Sequence, residues 1–229
     1  MDIEPGHIYS FRVEAYNQGG RSFPSEVVSL CSMGSESKAE VLIVNNFTKV
    51  SAPAWIDTDT YAGFDSRQDS GVGYVREIGY IGENYDFDPC SEFIDNNSPG
   101  FGASYDDMAG SIIAGNTFDF AYIHGKAFAA LGYSFSSCSR KAFCEENMTE
   151  RKPDLLDLIC GKQQGEKYPV YDAQMKRALR ELCNQGTDLL ISGSAIASDE
   201  SALKDDFTLK ALGFSLIRAY GTPGDKIGR

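Results

Sequence analysis

The sequence has little positive charge and few of the residues that usually build a metal centre. Its 21 lysines and arginines stand against 33 aspartates and glutamates, which gives a formal net charge of −12. Because nucleic-acid binding needs a basic face, this balance argues against a nucleic-acid partner. Only two histidines occur, and none of the six cysteines forms a CxxC pair, so no zinc site is predicted.

Long hydrophobic runs are also missing. No apolar run approaches the roughly 20 residues that a membrane helix needs, so no membrane span is predicted. The first ten residues, MDIEPGHIYS, lack the basic and apolar regions of a signal peptide. The 229 residues are enough for one large α/β domain or for a domain with an appendage.

Residues 8–31 alternate apolar and polar side chains on both sides of the turn sequence NQGG, which predicts a β-hairpin. The stretch resembles the last two strands of a fibronectin type III domain at Tyr9, Phe11, Val13, Ala15, Asn17, Gly20, Ser22, Pro24 and Ser25. A lone hairpin is marginal in water. Either the chain begins within such a domain, or the hairpin packs on the rest; a β-appendage unrelated to that family is the alternative. We therefore divide the chain into a partial fibronectin-like hairpin, 1–33, and an α/β domain, 34–229.

Beyond the hairpin, apolar strands alternate with helices. The run AEVLIVNNF (39–47) is typical of a strand buried on both faces, and residues 168–186 form an amphipathic helix that ends at a glycine. This alternation predicts an α/β fold with a doubly wound, mostly parallel sheet of about five strands in flavodoxin-like order. A long insertion at about 48–103 interrupts the pattern, and long ordered loops on such scaffolds are often functional.

Residues 154–200 resemble class I glutamine amidotransferase-like folds in their rhythm of strand, amphipathic helix and strand, DLLDLICG to NQGTDLLISGS. The resemblance implies a fold and not a chemistry. In that family the nucleophile is a cysteine in a G-x-C-x-G elbow with a downstream histidine. Cys138, in SSCSR, lacks the glycines and no histidine follows it, which favours a small core residue at that position.

The stretch SGSAIASDE (192–200) raises the question of a serine nucleophile. A nucleophile elbow needs G-x-S-x-G, and the residues around Ser194 do not fit that spacing. Ser198, which two acids follow, suits a helix N-cap. A triad of Ser194 or Ser136 with His124 and a carboxylate stays an alternative, because geometry and not chain order defines a triad.

Ligand sites in open α/β sheets lie beyond the carboxyl ends of the strands. Amides that bind hydroxyl groups and aromatic rings that stack suit a sugar or a peptide. We predict ligand contacts at six residues of these strand ends, the insertion and the polar segment 115–128: Asn45, Asn46, Trp55, Asn116, Asp119 and His124. The alternative for that segment is a helix entry capped by Asn116 or Asp119.

Acids alternate in DTDTYAGFD (57–65) and NYDFDP (84–89), and alternation can gather carboxylates around Ca²⁺. The weak metal candidates are Asp57, Asp59, Asp86 and Asp88. Neither segment matches the EF-hand loop, and acids mostly sit exposed, so solvated loops and no cofactor are the favoured interpretation.

Four segments, VLIVNNFTKVSAPAW, PGFGASY, IIAGNTFDFAYIHGKA and LLISGSAIASD, resemble large secreted bacterial proteins commonly labelled xanthan lyase, which carry fibronectin type III and golvesin-like modules. The resemblance implies a periplasmic or cell-surface location. It implies a carbohydrate or cell-wall component, and other modules of the same polypeptide, as partners. Because xanthan-degrading lyases are built on an α-helical toroid, it also implies that lyase activity belongs to other modules.

We therefore expect a module of a secreted glycan- or cell-envelope-processing protein that binds carbohydrate or another envelope component. The first alternative is a Ser/His hydrolase, an esterase or amidase, on a polysaccharide or peptidoglycan substrate. The second alternative is a structural spacer. The surroundings of His124 separate binding from hydrolysis, because a catalytic histidine has a nucleophile on one ring nitrogen and an acid on the other.

Overall fold

The computed structural model describes residues 3–13, 15–21, 25–48, 56–60, 62–63, 92–96, 99–103, 119–145 and 148–217. Its strands are β1 (Ile8–Phe11), β2 (Tyr16–Asn17), β3 (Gly20–Arg21), β4 (Val28–Cys31), β5 (Glu40–Asn45), β6 (Ile56–Asp57), β7 (Ala62–Gly63), β8 (Ser134–Ser139), β9 (Leu155–Ile159) and β10 (Asp188–Ser192). Its α-helices are α1 (Phe120–Leu131), α2 (Arg140–Glu145), α3 (Ala173–Gln185), α4 (Glu200–Leu203) and α5 (Phe207–Leu212).

Six strands form one mixed sheet in the order β1-β4-β8-β5-β9-β10. β8, β5, β9 and β10 run parallel. At the β8 edge, β4 pairs antiparallel with β8, and β1 pairs antiparallel with β4. The predicted α/β fold with a mostly parallel sheet is confirmed. The described sheet has four parallel strands and not about five. Residues 214–217, which open the predicted last strand, are not in a strand, and the end of that segment lies outside the described residues.

β1 and β4 of the N-terminal hairpin belong to the same sheet, whereas β2 and β3 form a separate two-stranded sheet. β1 pairs antiparallel with β4, and β2 and β3 close the hairpin at Asn17 and Gly20, where NQGG predicts the turn. β4 pairs in turn with β8, where Cys31 lies opposite Phe135. This pairing satisfies the backbone groups at the β8 edge and gives the hairpin the neighbour that it needs for stability. The predicted division near residue 33 therefore falls within one continuous sheet.

Different helices cover the two faces of the sheet. We call one the α1 face, where four strand residues pack with Ala121 and Phe128 of α1: Val41, Ile43, Phe135 and Ile159. We call the other the α3 face, where four strand residues pack against α2, α3 and α5: Leu42, Val44, Leu156 and Leu158. Because side chains alternate along a strand, the continuous apolar run of β5 supplies both faces at once.

The stretch 192–200 is a strand end followed by a helix cap. β10 ends at Ser192, and the carboxylate of Asp199 caps α4 by accepting the Ser201 N–H at 3.0 Å. The cap is therefore Asp199 and not the predicted Ser198, which is exposed. Asp199 is buried, and its carboxylate also accepts the N–H groups of Gly165 at 2.7 Å and Val170 at 3.3 Å from the loop after β9. These additional hydrogen bonds explain why Asp199, and not Ser198, forms the cap.

We expect Asp199→Asn to lower the free energy of unfolding by about 2 kcal/mol, since an amide offers one acceptor where the carboxylate offers two. Ser198→Ala is the matched control and should change it by less than about 0.5 kcal/mol. Urea unfolding of both variants at pH 7 measures the difference. Equal effects of the two substitutions would contradict the assigned cap.

The same variant has a defined pH dependence. Desolvation would raise the pKa of Asp199, but hydrogen bonds from Ser201, Gly165 and Val170 outweigh it and hold the pKa below its usual value. The ionised carboxylate therefore stabilises the fold above the unfolded-state pKa of about 3.9, and this contribution is lost as the pH falls through the folded-state pKa. The difference between wild type and Asp199→Asn should shrink in urea unfolding below pH 4.

Candidate functional site

His124 and Asp157 form a hydrogen-bonded pair on the α1 face. The His124 Nδ1 and Asp157 Oδ2 atoms lie 2.7 Å apart. The Asp157 side chain is fully buried, whereas the imidazole is 28% exposed. An ionised carboxylate only accepts hydrogen bonds. When the imidazole is neutral, its Nδ1 therefore carries the proton and its Nε2 is left as an acceptor.

The sheet register places Asp157 under α1. Asp157 lies opposite Ile43 of β5 and opposite Leu190 of β10. Paired residues of parallel strands point to the same face, so the Asp157 carboxylate joins Ile43 on the α1 face. It therefore projects, fully buried, from the middle of an apolar strand, where an ionised carboxylate needs a partner to stabilise its charge.

Gly125 brings that partner close. A Cβ at Gly125 would lie 2.2 Å from Cζ of Phe135, so the helix rests directly on the β8 ring and no side chain fits between them. His124 immediately precedes Gly125, and its side chain reaches past the contact between Gly125 and Phe135 to Asp157 of β9. The absence of a side chain at Gly125 thus sets the distance between α1 and the sheet, and with it the length of the His124–Asp157 hydrogen bond.

Two buried acceptor oxygens near this pair have no hydrogen-bond partner in the described part of the chain. They are Oδ1 of Asp157 and Oδ1 of Asn45. The amide nitrogen of Asn45 donates to Glu26 Oε2 at 3.3 Å, and burial raises the pKa of Glu26 although this hydrogen bond opposes the shift. Asp119, at the start of α1, is also buried, and its side chain does not cap the helix.

Asn46 belongs to a different network, on the α3 face. The guanidinium of Arg140 donates to Asn46 Oδ1, to the Val170 carbonyl at 3.1 Å and to Asp172 Oδ2 at 2.5 Å. The Asn46 amide nitrogen donates to the Val170 carbonyl at 3.0 Å and lies 3.3 Å from Cys160 Sγ. Every polar atom of the Asn46 side chain is therefore used within the protein.

The two candidate serines do not meet His124. Ser136 pairs with Leu42, so its side chain is on the α3 face, across the sheet from the imidazole. Ser194 is exposed in the turn after β10, and its hydroxyl donates to the Gly161 carbonyl at 3.3 Å. The structure thus brings together the histidine and the acid of the predicted triad, and neither Ser136 nor Ser194 is hydrogen-bonded to the histidine.

Cys138 lies in the core of the α3 face. Burial, with smaller contributions from Glu26 and Cys144, raises its pKa to about 12. The thiol therefore stays protonated at neutral pH and is a poor nucleophile. The position fits the small core residue that the missing elbow glycines indicate.

The remaining predicted residues are exposed or undescribed. Asp57 and Asp59 are exposed, while Trp55, Asn116, Asp86 and Asp88 lie outside the described residues. Within the described ranges, no three His, Cys, Asp or Glu side chains come together as a group that could hold a metal ion. No helix in these ranges is both long and apolar enough to cross a membrane. No protein-family model matches the chain, and no curated protein or solved structure is significantly similar to it.

Asp157 is the site residue that the sequence interpretation missed. It lies in DLLDLICG, which reads as an ordinary apolar strand. The available signal is that a single acid, Asp157, interrupts an apolar strand. Charged side chains are rarely buried without a partner. That signal indicates a paired carboxylate but does not say which of the many polar residues is the partner.

We expect neutral His124 to carry its proton on Nδ1 and none on Nε2, because Asp157 accepts from Nδ1. Two-bond ¹H–¹⁵N spectra of the imidazoles measure this directly. Asp157→Leu should abolish the preference, and His7→Gln assigns the signals because His7 is the other histidine. A proton found on Nε2 of neutral His124 would show that the pair is not formed.

We expect Gly125→Ala to destabilise the protein by about 2 kcal/mol, although alanine favours a helix by about 1 kcal/mol over glycine. The added Cβ must push α1 away from Phe135. Ala127→Gly, at an exposed position of the same helix, is the control and should cost only about 1 kcal/mol. Thermal unfolding with the His124 NMR signals as a second readout tests this; an unchanged or raised Tm for Gly125→Ala would refute the close contact.

Proposed function

We propose that the chain is a module of a secreted glycan- or cell-envelope-processing protein, and that its α1 face carries a hydrolytic site with His124 as the general base. The supporting observation is the 2.7 Å contact between a partly exposed imidazole and a fully buried carboxylate. In this arrangement the acid orients the ring, and the outer nitrogen takes a proton from a nucleophile.

Hydrolysis is favoured over passive binding by where the predicted ligand contacts lie. Asn45, Asn46 and Asp119 are all at least 97% buried, and the Asn46 side chain is spent on Arg140, Val170 and Cys160. Of the predicted contacts that are described, only His124 presents part of its side chain to solvent. These buried residues thus offer no open surface on which a sugar could lie, whereas the partly exposed His124 offers a proton-accepting group.

The proposed step is the hydrolysis of an ester or amide. His124 Nε2 takes a proton from a water molecule or a hydroxyl nucleophile as its oxygen bonds to the carbonyl carbon. The imidazolium, stabilised by Asp157, returns that proton to the leaving alcohol or amine as the bond to the carbonyl carbon breaks. With a hydroxyl nucleophile, a water molecule then releases the acyl group by the same proton transfers, so either route consumes one water.

The fold supports the location of this site. The four parallel strands, numbered along the chain, lie in the order 2-1-3-4, from which we infer a flavodoxin-like arrangement. Such sheets bind ligands beyond their carboxyl ends, where the strand order reverses. Asn45 ends β5 at this edge, and Asp157 lies two residues before the end of β9. On the α3 face, Arg140 is hydrogen-bonded to Asn46, Val170 and Asp172, so we place the chemistry on the α1 face. Export, a glycan or cell-wall partner, and lyase activity in other modules remain part of the proposal on the resemblance alone.

The test is a hydrolysis assay with nitrophenyl esters, acyl-sugars and peptidoglycan fragments, in which released alcohol or amine is measured. We expect His124→Ala to lower kcat/KM by a factor of about 10² to 10⁴, which is the usual contribution of a general base. Asp157→Asn should lower it in the same direction because it leaves the ring without its anionic partner.

His7→Ala is the matched control, because His7 is exposed and its Nδ1 lies 3.5 Å from Glu4 Oε2, and it should keep full activity. Circular dichroism confirms that each variant is folded. Turnover that survives His124→Ala, or no turnover of any ester or amide by the wild type, would reject the hydrolytic site.

A further inference from the structure

The α1 face holds two acceptors that lack donors. Asp157 is 0% exposed and Asn45 is 3% exposed, and the Oδ1 atom of each has no hydrogen-bond partner within the described residues. Their other polar atoms are in use, Asp157 Oδ2 by His124 and Asn45 Nδ2 by Glu26. A buried acceptor without a donor destabilises the fold, so a group that donates to it there is bound favourably.

The register brings the two acceptors near one another. β5 and β9 are parallel neighbours in which Ile43 lies opposite Asp157, and Asn45 lies opposite Ile159. Asn45 and Asp157 therefore share a face and stand two residues apart along adjacent strands. A strand spacing of about 4.8 Å and a rise of about 3.3 Å per residue put their Cα atoms about 8 Å apart.

The charge around these acceptors is negative. Glu26 bonds to Asn45, and Asp157 lies beneath His124. In the described ranges, no lysine or arginine forms an ion pair with Glu26 or Asp157. Lys126 of α1 lies instead over the Tyr122 ring, 5.7 Å from its centroid. An anionic ligand is repelled by this surface, and a cationic donor is attracted to it.

We propose that this site binds a primary ammonium group, which donates to Asp157 Oδ1 and Asn45 Oδ1 while the bond to be hydrolysed lies at the exposed edge of His124. An ammonium has three N–H donors, which can satisfy the two acceptor oxygens, and a positive charge, which complements the acidic surroundings. Two sources share this chemistry, the free amine of an amino sugar and the side-chain amine of a lysine-like residue in a peptide. The inference rests on the proposed hydrolytic site and adds the substrate class to it.

Binding to the full chain is measured by calorimetry, without turnover, in matched pairs. Glucosamine oligosaccharides are compared with N-acetylglucosamine oligosaccharides, and lysyl peptides with their Nε-acetylated forms; galacturonate oligosaccharides supply the anionic arm. We expect at least one ammonium ligand to bind about tenfold or more tightly than its acetylated match, and the two arms identify which source is preferred. Galacturonates should bind more weakly than either.

Asp157→Asn and Asn45→Leu should each weaken ammonium binding on the order of tenfold. Asp188→Asn is the control, because Asp188 is exposed, lies on the same face opposite Leu155, and loses the same charge. Asn45→Leu keeps the number of side-chain heavy atoms and leaves the His124–Asp157 pair in place, so it remains informative if Asp157→Asn does not fold. Thermal unfolding establishes which variants are folded.

Equal binding of free and acetylated ligands, a preference for galacturonates, or an Asp188→Asn effect as large as that of Asp157→Asn would overturn the ammonium site. The outcome is distinct from that of the hydrolysis assay. Ammonium binding that depends on Asp157 and persists in His124→Ala supports the binding site even where no hydrolysis is found. Hydrolysis of neutral esters with no ammonium preference would reject this inference and leave the proposed base intact.

Discussion

The pairing of β5 with β8 and β9 is the constraint on which the rest of this structure depends. It decides that Ile43 and Asp157 share one face while Leu42 and Ser136 share the other. A shift of one residue would move every side chain of the strand to the opposite face, so the register is fixed by the two apolar cores that β5 must fill. The position of the His124–Asp157 pair follows from that packing.

The end of β5 divides two polar systems of different kinds. Asn46 enters a network with Arg140 and Asp172 in which each atom of the asparagine is used, and which holds the loop before α3 against the sheet. Asn45, one residue earlier, faces α1 and keeps an oxygen without a donor. The first network suits a structural role, because satisfied buried polar groups make a fold more rigid. In the second, the Asn45 oxygen lacks a donor, and a buried acceptor without a donor is more typical of a site that binds a ligand.

The sequence allowed the elements to be predicted better than their partners. Local signals identified the hairpin, the α/β alternation and the α3 helix, whose apolar stripe is buried from Met175 to Leu182. They could not show that β4 extends the parallel sheet, because that pairing joins distant segments. Nor could they choose Asp199 over Ser198 as the cap, since the choice depends on N–H groups some 30 residues away. His124 was a candidate because of its residue type, but the sequence did not show that Asp157, in an apolar strand, is its partner.

The attachment of the hairpin to β8 has a consequence for how the chain folds. The hydrogen bond between the Ser29 backbone and the Ser137 hydroxyl spans 108 residues. Closing so long a loop carries an entropic cost that must be met before the contact gives any return, and such contacts slow folding. On the ribosome, the hairpin emerges before β8, the strand that receives it, has been synthesised. The hairpin, which is made before β8, therefore reaches its final place only once β8 is available, and its strand edge stays open to other chains until then.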